Sequence, residues 1–201
     1  MRIGIFSGSF NPVHRGHVAL SRWFVSHGVV DAVWLVRSPL NPLKADRVAE
    51  MASDAHRLAM LRLAIEGCEA LSVCTVEDDM PRPNYSIHTL HRLRRLHPQH
   101  DFHFIIGSDN WQNFRQWYRW QDILRDFCVV VYPRPEYAVE HGLIDFAEAK
   151  QIVFASAPTY EVSSTDVRRL LRGGDEERAR AEAMLSPAVA AYIRQHHLYG
   201  C

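Results

Sequence analysis

Residues 2–17 read RIGIFSGSFNPVHRGH. The first five of them form an apolar run of β-favouring side chains, which predicts a buried strand over residues 2–6. Glycine, asparagine and proline then interrupt the run, as is typical of a turn. Apolar residues at three-to-four spacing over residues 18–26 predict a helix. A buried strand, a turn and a helix in this order indicate the start of an α/β fold.

The same alternation continues along the chain. Further apolar runs predict buried strands at residues 32–36, 71–76, 102–106, 128–132 and 152–154. Helical spacing lies between them at residues 54–66, 87–96 and 110–125, the last broken around Trp117. Strands that alternate with helices predict a doubly wound, mainly parallel sheet covered by helices on both faces.

The C-terminal region has a different character. Residues 163–172 read as a helix opened by a Ser/Thr cap, and Gly173 and Gly174 end it. Residues 187–196 predict a second amphipathic helix with Pro187 in its first turn. We expect residues 163–201 to form a small helical cap within a single domain that spans residues 1–201.

The composition excludes several classes of protein. The chain has 201 residues, and 23 Lys and Arg balance 23 Asp and Glu. A zero net charge without a basic segment argues against a dedicated nucleic-acid binder. The first residues reach Gly and Ser before an apolar stretch of signal-peptide length builds up, no 18-residue apolar run occurs later, and the four cysteines form no C-x-x-C pair. We expect a cytoplasmic protein with reduced thiols and no membrane or nucleic-acid partner, and a homo-oligomer is compatible with the sequence.

The turn after the first strand carries the strongest functional signal. In an open α/β sheet, ligands bind outside the carboxyl ends of the strands. Gly8 permits close backbone approach, and Gly16 lets the chain enter the helix tightly. His14 and His17 lie at the start of that helix, where exposed N–H groups favour an anion. The pattern predicts phosphate chemistry, although two histidines that merely cap the helix are the competing interpretation.

Three other segments carry groups suited to phosphorylated substrates. Ser163, Ser164 and Thr165 begin a helix with Arg168 one turn further on, which predicts a second anion clamp or only a cap with a solvated charge. Asp109 ends a buried strand and is placed to accept ribose hydroxyls or to cap the next helix. Trp117 and Tyr118 lie at a helix break, where aromatic rings either stack on a planar base or join the core.

These segments together resemble a known family. The stretch from His14 to His17 looks like the H-x-G-H signature of a nucleotidyltransferase superfamily that includes class I aminoacyl-tRNA synthetases. The form GSFNPVH is similar to nicotinate-nucleotide adenylyltransferases, as are the stretches VSSTDVR, IIGSD and the pair WY. The synthetase alternative fails because the chain is too short and has no KMSKS segment. The resemblance implies a Rossmann-like nucleotidyltransferase fold.

The resemblance also implies roles for individual residues. The catalytic residues would be His14, His17 and Arg168. The residues implied for ATP are Gly8, Ser9, Phe10, Gly16, Gly107, Asp109, Ser163, Ser164 and Thr165. Those implied for the pyridine nucleotide are Lys44, Tyr85, Ser86, Trp117, Tyr118 and Arg134. The chain departs from the family pattern at Leu43, His88, Ser108 and Val162.

The implied reaction is adenylyl transfer from ATP to nicotinate mononucleotide, which forms deamido-NAD and pyrophosphate in NAD biosynthesis. The partners would be ATP and that mononucleotide, and Mg²⁺ would arrive with ATP without a protein ligand. Nicotinamide mononucleotide or phosphopantetheine as the acceptor, and a nucleotide sensor without catalysis, are the alternatives. His97, His100 and His103 are predicted to be surface histidines rather than zinc ligands.

Overall fold

Strands and helices alternate along the whole described chain. The computed structural model describes residues 1–39 and 51–200. The strands are β1 Arg2–Gly8, β2 Ala32–Arg37, β3 Leu71–Cys74, β4 Asp101–Gly107, β5 Cys128–Tyr132 and β6 Gln151–Phe154. The helices are α1 Arg15–Ser26, α2 Asp54–Ala64, α3 Ser86–Leu96, α4 Ser108–Gln112, α5 Trp120–Asp126, α6 Ser164–Leu171, α7 Asp175–Ala183 and α8 Pro187–Gln195. Short 3₁₀ segments follow α4 and α8, at Phe114–Gln116 and Leu198–Gly200.

The strands form one parallel sheet in the order β3-β2-β1-β4-β5-β6. Ile5 in β1 pairs with Trp34 of β2 on one side and with Phe104 of β4 on the other. The strand order reverses between β1 and β4, and the crevice outside the carboxyl ends of the strands at such a point is where ligands bind. The predicted doubly wound, Rossmann-like sheet is confirmed.

Apolar side chains fill the space on both faces of the sheet. Along β5, Val130 and Tyr132 pack into the cluster beneath α1, α2, α6 and α8, whereas Val129 and Val131 pack beneath α3, α4 and α5. A strand covered on both faces must be apolar at every position, because successive side chains point to opposite faces. The uninterrupted apolar run of β5 therefore predicts the strand and its position inside the sheet.

The C-terminal helices pack on the first of these clusters. Val167 of α6 and Val189 of α8 are fully buried there, as expected for helices predicted from their apolar spacing. Helix α7 is an addition that the sequence analysis missed. Its segment DEERARAEA buries only Ala181, so it has no apolar stripe to detect. It forms because its residues favour helices and three acids occupy its first turn.

The prediction that His103 lies on the surface is wrong. Its side chain is buried in β4, a central strand covered on both faces, and its Nε2 atom lies 3.1 Å from Oδ2 of Asp101. Burial lowers the pKa of His103. His97 and His100 are half-buried, with their rings edge-on to Trp34. Among residues 1–39 and 51–200, no helix is long and apolar enough to span a membrane.

Candidate active site

A cleft of about 360 Å³ opens at the carboxyl ends of β1 and β4. Most residues that the sequence assigned to a site line it. These are Gly8, Ser9, Phe10, His14, His17, Tyr85, Ser86, Gly107, Asp109, Trp117, Tyr118, Arg134, Ser163, Ser164, Thr165 and Arg168. Gly16 does not line this cleft but lies behind His14 and His17. Lys44 falls in residues 40–50, outside the described part of the chain.

Two stacked imidazole rings form the centre of the cleft. The ring centroids of His14 and His17 are 3.6 Å apart, with an angle of 24° between the planes. The backbone N–H of His14 donates to Nδ1 of His17 over 3.2 Å. Since Nδ1 of His17 accepts this bond, the neutral ring carries its proton on Nε2. The local turn thus fixes which nitrogen of His17 is a donor.

Gly16 is needed for this arrangement. A Cβ atom at Gly16 would lie 2.8 Å from Cγ1 of Val162 and 3.1 Å from Nδ1 of His14. Contacts this short require the neighbours to move. Glycine therefore lets α1 approach the segment before α6 while His14 keeps its place.

His14 is a buried, neutral imidazole. Burial and the nearby charge of Arg134 lower its pKa from 6.5 to about 3. Its Nδ1 atom has no hydrogen-bond partner among the described residues. A buried polar atom without a partner is costly, and such an atom in a cleft is suited to bind a ligand.

The buried state of His14 predicts how stability depends on pH. In the unfolded chain His14 takes up a proton near pH 6.5, whereas in the fold it does so only near pH 3. The unfolded state binds more protons between these values, so stability falls as the pH falls through this window. Between pH 6.5 and 4.5, the free energy of unfolding is expected to fall by about 2 kcal/mol less in His14→Asn than in the wild type. Urea denaturation of both proteins at each pH measures the free energy of unfolding.

His27 offers the matched control for that measurement. It is exposed just after α1, so His27→Asn removes a histidine from the surface of the same helix. We expect this variant to retain the pH dependence of the wild type. An unchanged dependence in His14→Asn as well would contradict the burial argument.

The start of α6 contacts the turn after β1 directly. Ser163 caps the helix by accepting from the N–H of Asp166, so its role as a cap is realised. Ser164 donates its hydroxyl to the carbonyl of Pro12 over 2.9 Å. Arg168 is only 8% exposed, which excludes a solvated charge, and its Nη1 atom donates to the carbonyl of Asn11 over 2.7 Å.

An acidic and a basic side chain lie close together at the end of β4. The carboxylate of Asp109 lies 3.9 Å from Nε of Arg134. A Cβ atom at Gly107 would lie 2.3 Å from Oδ1 of Asp109 and 2.8 Å from Cγ of Arg134, so a larger residue would force these side chains to move. The buried hydroxyl of Ser108 accepts from the N–H of Arg134 and donates to the carbonyl of Tyr137, each over 2.9 Å. Ser108 thus holds the segment that carries Arg134 against β4.

Aromatic rings form the far end of the cleft. Trp117 is half-buried between Phe104 and Phe114, with ring centroids 6.0 Å and 5.4 Å away. Tyr118 is exposed and stacks on Tyr85 with a centroid distance of 4.5 Å. Trp117 both packs on the second cluster and lines the cleft, so the two interpretations of the aromatic pair are compatible.

Comparisons with known proteins agree with this geometry. A family model described as "Cytidylyltransferase-like" matches residues 5–170. A "Probable nicotinate-nucleotide adenylyltransferase" of Bacteroides thetaiotaomicron is 40% identical over 197 residues, which are 98% of this chain and 92% of that protein. A relative of the same name from Salinibacter ruber is 36% identical over 199 residues, 99% of this chain and 98% of that one.

The chain belongs to the nicotinate-nucleotide adenylyltransferase family. The resemblance drawn from the motifs is therefore confirmed, and the family places the chain among nucleotidyltransferases. The fold of this family member is also found in the Plasmodium falciparum nicotinic acid mononucleotide adenylyltransferase complexed with NaAD. The two superpose with a TM-score of 0.80 at 18% identity, covering 98% of this chain and 97% of that one.

Several polar residues that line the cleft were not assigned to the site from the sequence, among them Glu77 and Asn84. Glu77 and Asn84 are 4% and 6% exposed and line the cleft beside Tyr85. Glu77 accepts from the hydroxyl of Thr89 over 2.9 Å, and burial raises its pKa. Glu77 is followed by Asp78 and Asp79, which are exposed, so nothing local distinguishes the buried acid.

A buried arginine supports the turn after β1 from behind the cleft. Arg57 of α2 is fully buried and bonds to Asp54. Its Nη1 atom donates to the carbonyls of Ser9 and Ser38 over 2.6 Å and 2.9 Å. It therefore joins the turn after β1 to the segment after β2. Among residues 1–39 and 51–200, no group of three or more His, Cys, Asp or Glu is placed to hold a metal ion.

Proposed function

We propose that the chain transfers the adenylyl group of ATP to nicotinate mononucleotide, forming nicotinate adenine dinucleotide and pyrophosphate. One observation carries the proposal: a single cleft joins the stacked histidines and buried Arg168 at one end to the aromatic wall of Trp117 at the other. The first end suits a polyphosphate and the second a planar base, as the transfer between two nucleotides requires. The curated relatives carry the name of this activity.

The reaction needs positioning more than acid–base catalysis. A phosphate oxygen of the mononucleotide attacks the α-phosphorus of ATP in line and forms the new P–O bond. The bond from the α-phosphorus to the bridging oxygen breaks, and pyrophosphate leaves with that electron pair. A phosphate monoester is anionic near neutral pH, so the attack requires no general base. The protein must stabilise charge on the transferring group and on the leaving group.

His14, His17 and Arg168 are proposed to supply this stabilisation. The Nε2–H of His17 would donate to phosphate oxygens, since its Nδ1 atom is occupied by the backbone N–H of His14. The neutral ring of His14 keeps one N–H group that can donate to a phosphate oxygen. The negative charge of bound phosphates would raise the pKa of this ring. Arg168 would hold the outer phosphates with Ser164 and Thr165, and the helix N-terminus of α6 favours the same negative charge.

Gly8, Ser9, Phe10, Gly107 and Asp109 are proposed to bind the remainder of ATP. Asp109 is suited to accept the ribose hydroxyls, because its Oδ1 atom has no hydrogen-bond partner within the described residues. The substrate would be MgATP. Magnesium would be held mainly by phosphate oxygens and water and would offset the phosphate charge, a binding mode that does not depend on a cluster of protein ligands.

The aromatic end is proposed to bind the pyridine mononucleotide. Trp117 would stack on the ring, with Tyr85, Ser86 and Tyr118 beside it. From its position after β5, Arg134 would offset phosphate charge, and the family resemblance implies the same role for Lys44, which lies outside the described residues. Aromatic faces beside a cation match a flat base that carries a phosphate.

Separate acceptors test the proposal. MgATP is mixed with the protein and with nicotinate mononucleotide, nicotinamide mononucleotide or phosphopantetheine, and pyrophosphate release is measured. We expect release with the nicotinate nucleotide to exceed the other two. Pyrophosphate release with phosphopantetheine alone would show that the acceptor is phosphopantetheine and not a pyridine nucleotide. No release with any acceptor, together with ATP binding, would favour a nucleotide sensor.

Replacing Trp117 by alanine tests the stacking role. Loss of one base–aromatic stack costs about 1–3 kcal/mol, so the KM for the pyridine nucleotide is expected to rise roughly 5- to 140-fold. The KM for ATP is expected to change much less. Trp120→Ala is the matched control, because Trp120 packs on Phe146 rather than in the cleft. Equal effects of Trp117→Ala on both substrates would contradict the assignment.

A further inference from the structure

Asn11 lies in the turn that carries the histidines and accepts hydrogen bonds from three other parts of the fold. Its backbone carbonyl accepts from Nη1 of Arg168 over 2.7 Å. Its side-chain Oδ1 atom accepts from the N–H of Ala52 over 3.0 Å and from the phenol of Tyr199 over 2.8 Å. Asn11 is 4% exposed, so these bonds are shielded from water. One residue of the turn is thus held by the segment before α2, by α6 and by the C-terminal 3₁₀ segment.

Tyr199 reaches this site from a strained backbone. Its φ angle is +63°, in the left-handed region that tyrosine rarely adopts. Such a conformation costs about 1–3 kcal/mol and persists only where the surroundings enforce it. The ring packs on the first apolar cluster, which compensates for the strain and directs the phenol towards Asn11.

The phenol lies in the field of both buried arginines. Burial raises the pKa of Tyr199, and the charges of Arg168 and Arg57 oppose this shift. The group therefore remains a neutral O–H that can donate to Asn11. Arg168 bonds to the carbonyl of Asn11, and Arg57 bonds to the carbonyl of Ser9 two residues earlier. Tyr199 thus contacts the residue of the turn that Arg168 also holds, two residues after the point at which Arg57 holds it.

We propose that Tyr199 is a positioning residue: its phenol O–H fixes Asn11, and through Asn11 it fixes both the turn of residues 8–14 and the guanidinium of Arg168. The inference rests on the proposed adenylyl transfer, because the turn and Arg168 are assigned there to ATP. Tyr199 itself does not line the cleft, so it acts only through these groups. The C-terminal segment would then determine how well ATP is held.

Tyr199→Phe tests the proposal, with Tyr192→Phe as its matched control. Both variants keep the ring and lose one phenol hydrogen bond of a C-terminal tyrosine. Tyr192 bonds to Nδ1 of His56 over 3.0 Å, away from the cleft. We expect Tyr199→Phe to lower kcat/KM for ATP about 3- to 10-fold, as the loss of one hydrogen bond allows. The KM for the pyridine nucleotide should stay unchanged, and Tyr192→Phe should match the wild type in both.

Thermal melting and hydrogen exchange complete the experiment. We expect similar Tm values for the two variants, and faster amide exchange over residues 8–14 only in Tyr199→Phe. If Tyr199→Phe equals Tyr192→Phe in kinetics and in exchange, the positioning role is refuted. If the wild type makes no product, the proposed function fails instead, and the exchange result alone decides on Tyr199.

Discussion

Replacing His17 by alanine is expected to lower kcat roughly 100-fold or more, as the removal of one oxyanion donor does elsewhere. The backbone N–H of His14 occupies Nδ1 of His17, so the proton lies on Nε2, the nitrogen proposed to face the phosphates. Alanine removes the donor and also the ring that stacks on His14. Steady-state kinetics with saturating MgATP and nicotinate mononucleotide measure the effect.

His27→Ala provides the control for this prediction. It removes an exposed histidine just beyond the other end of α1 and should leave kcat unchanged. Circular dichroism must show a native fold for both variants. Turnover near the wild-type value in folded His17→Ala would remove His17 from the mechanism.

Replacing Arg168 by lysine is the second change with a large expected effect. Lysine retains the positive charge but lacks the planar fork of donors. The guanidinium donates from Nη1 to the carbonyls of Asn11 and Ser164, over 2.7 Å and 3.1 Å. Because a single ammonium does not reproduce the geometry of the buried guanidinium, at least one of these charge-assisted bonds would be lost, at a cost of about 1.5–3 kcal/mol. We expect kcat/KM for ATP to fall about 100-fold.

Arg169→Lys is the matched control for Arg168→Lys. Arg169 is the next residue of α6, and its side chain is 63% exposed and lies 3.5 Å from Asp166. We expect it to leave both KM values unchanged. If Arg168→Lys retains wild-type kinetics, charge alone explains the role of Arg168, and the proposed clamp is wrong.

The sheet was predictable because each strand is a continuous local signal. The observed bounds of β5 equal the predicted ones, because all five of its residues are apolar and buried. Helix α1 begins at Arg15 rather than at residue 18, because its first turn is fixed by the His14–His17 bond and not by apolar spacing. Strand β3 ends at Cys74, two residues before the predicted end, where the chain enters a turn.

The residues of the candidate site were predictable only where they form a local pattern in the sequence. His14 and His17, or Ser164 and Arg168, form recognisable patterns over a few residues. The bonds from Arg57 to Ser9 and from Tyr199 to Asn11 join residues 48 and 188 positions apart. Such contacts exist only after the sheet brings α2 and the C-terminus to the turn after β1. An arginine or tyrosine on an ordinary helix or tail carries no sequence mark of that role.

Tracing the α-phosphorus of labelled ATP tests the proposed reaction most directly. The protein is incubated with MgATP labelled at the α-phosphorus and with nicotinate mononucleotide, and the products are separated. We expect the label in nicotinate adenine dinucleotide, with one unlabelled pyrophosphate released for each dinucleotide formed. Label that remains in ATP, or that appears in AMP or ADP without dinucleotide, would contradict adenylyl transfer.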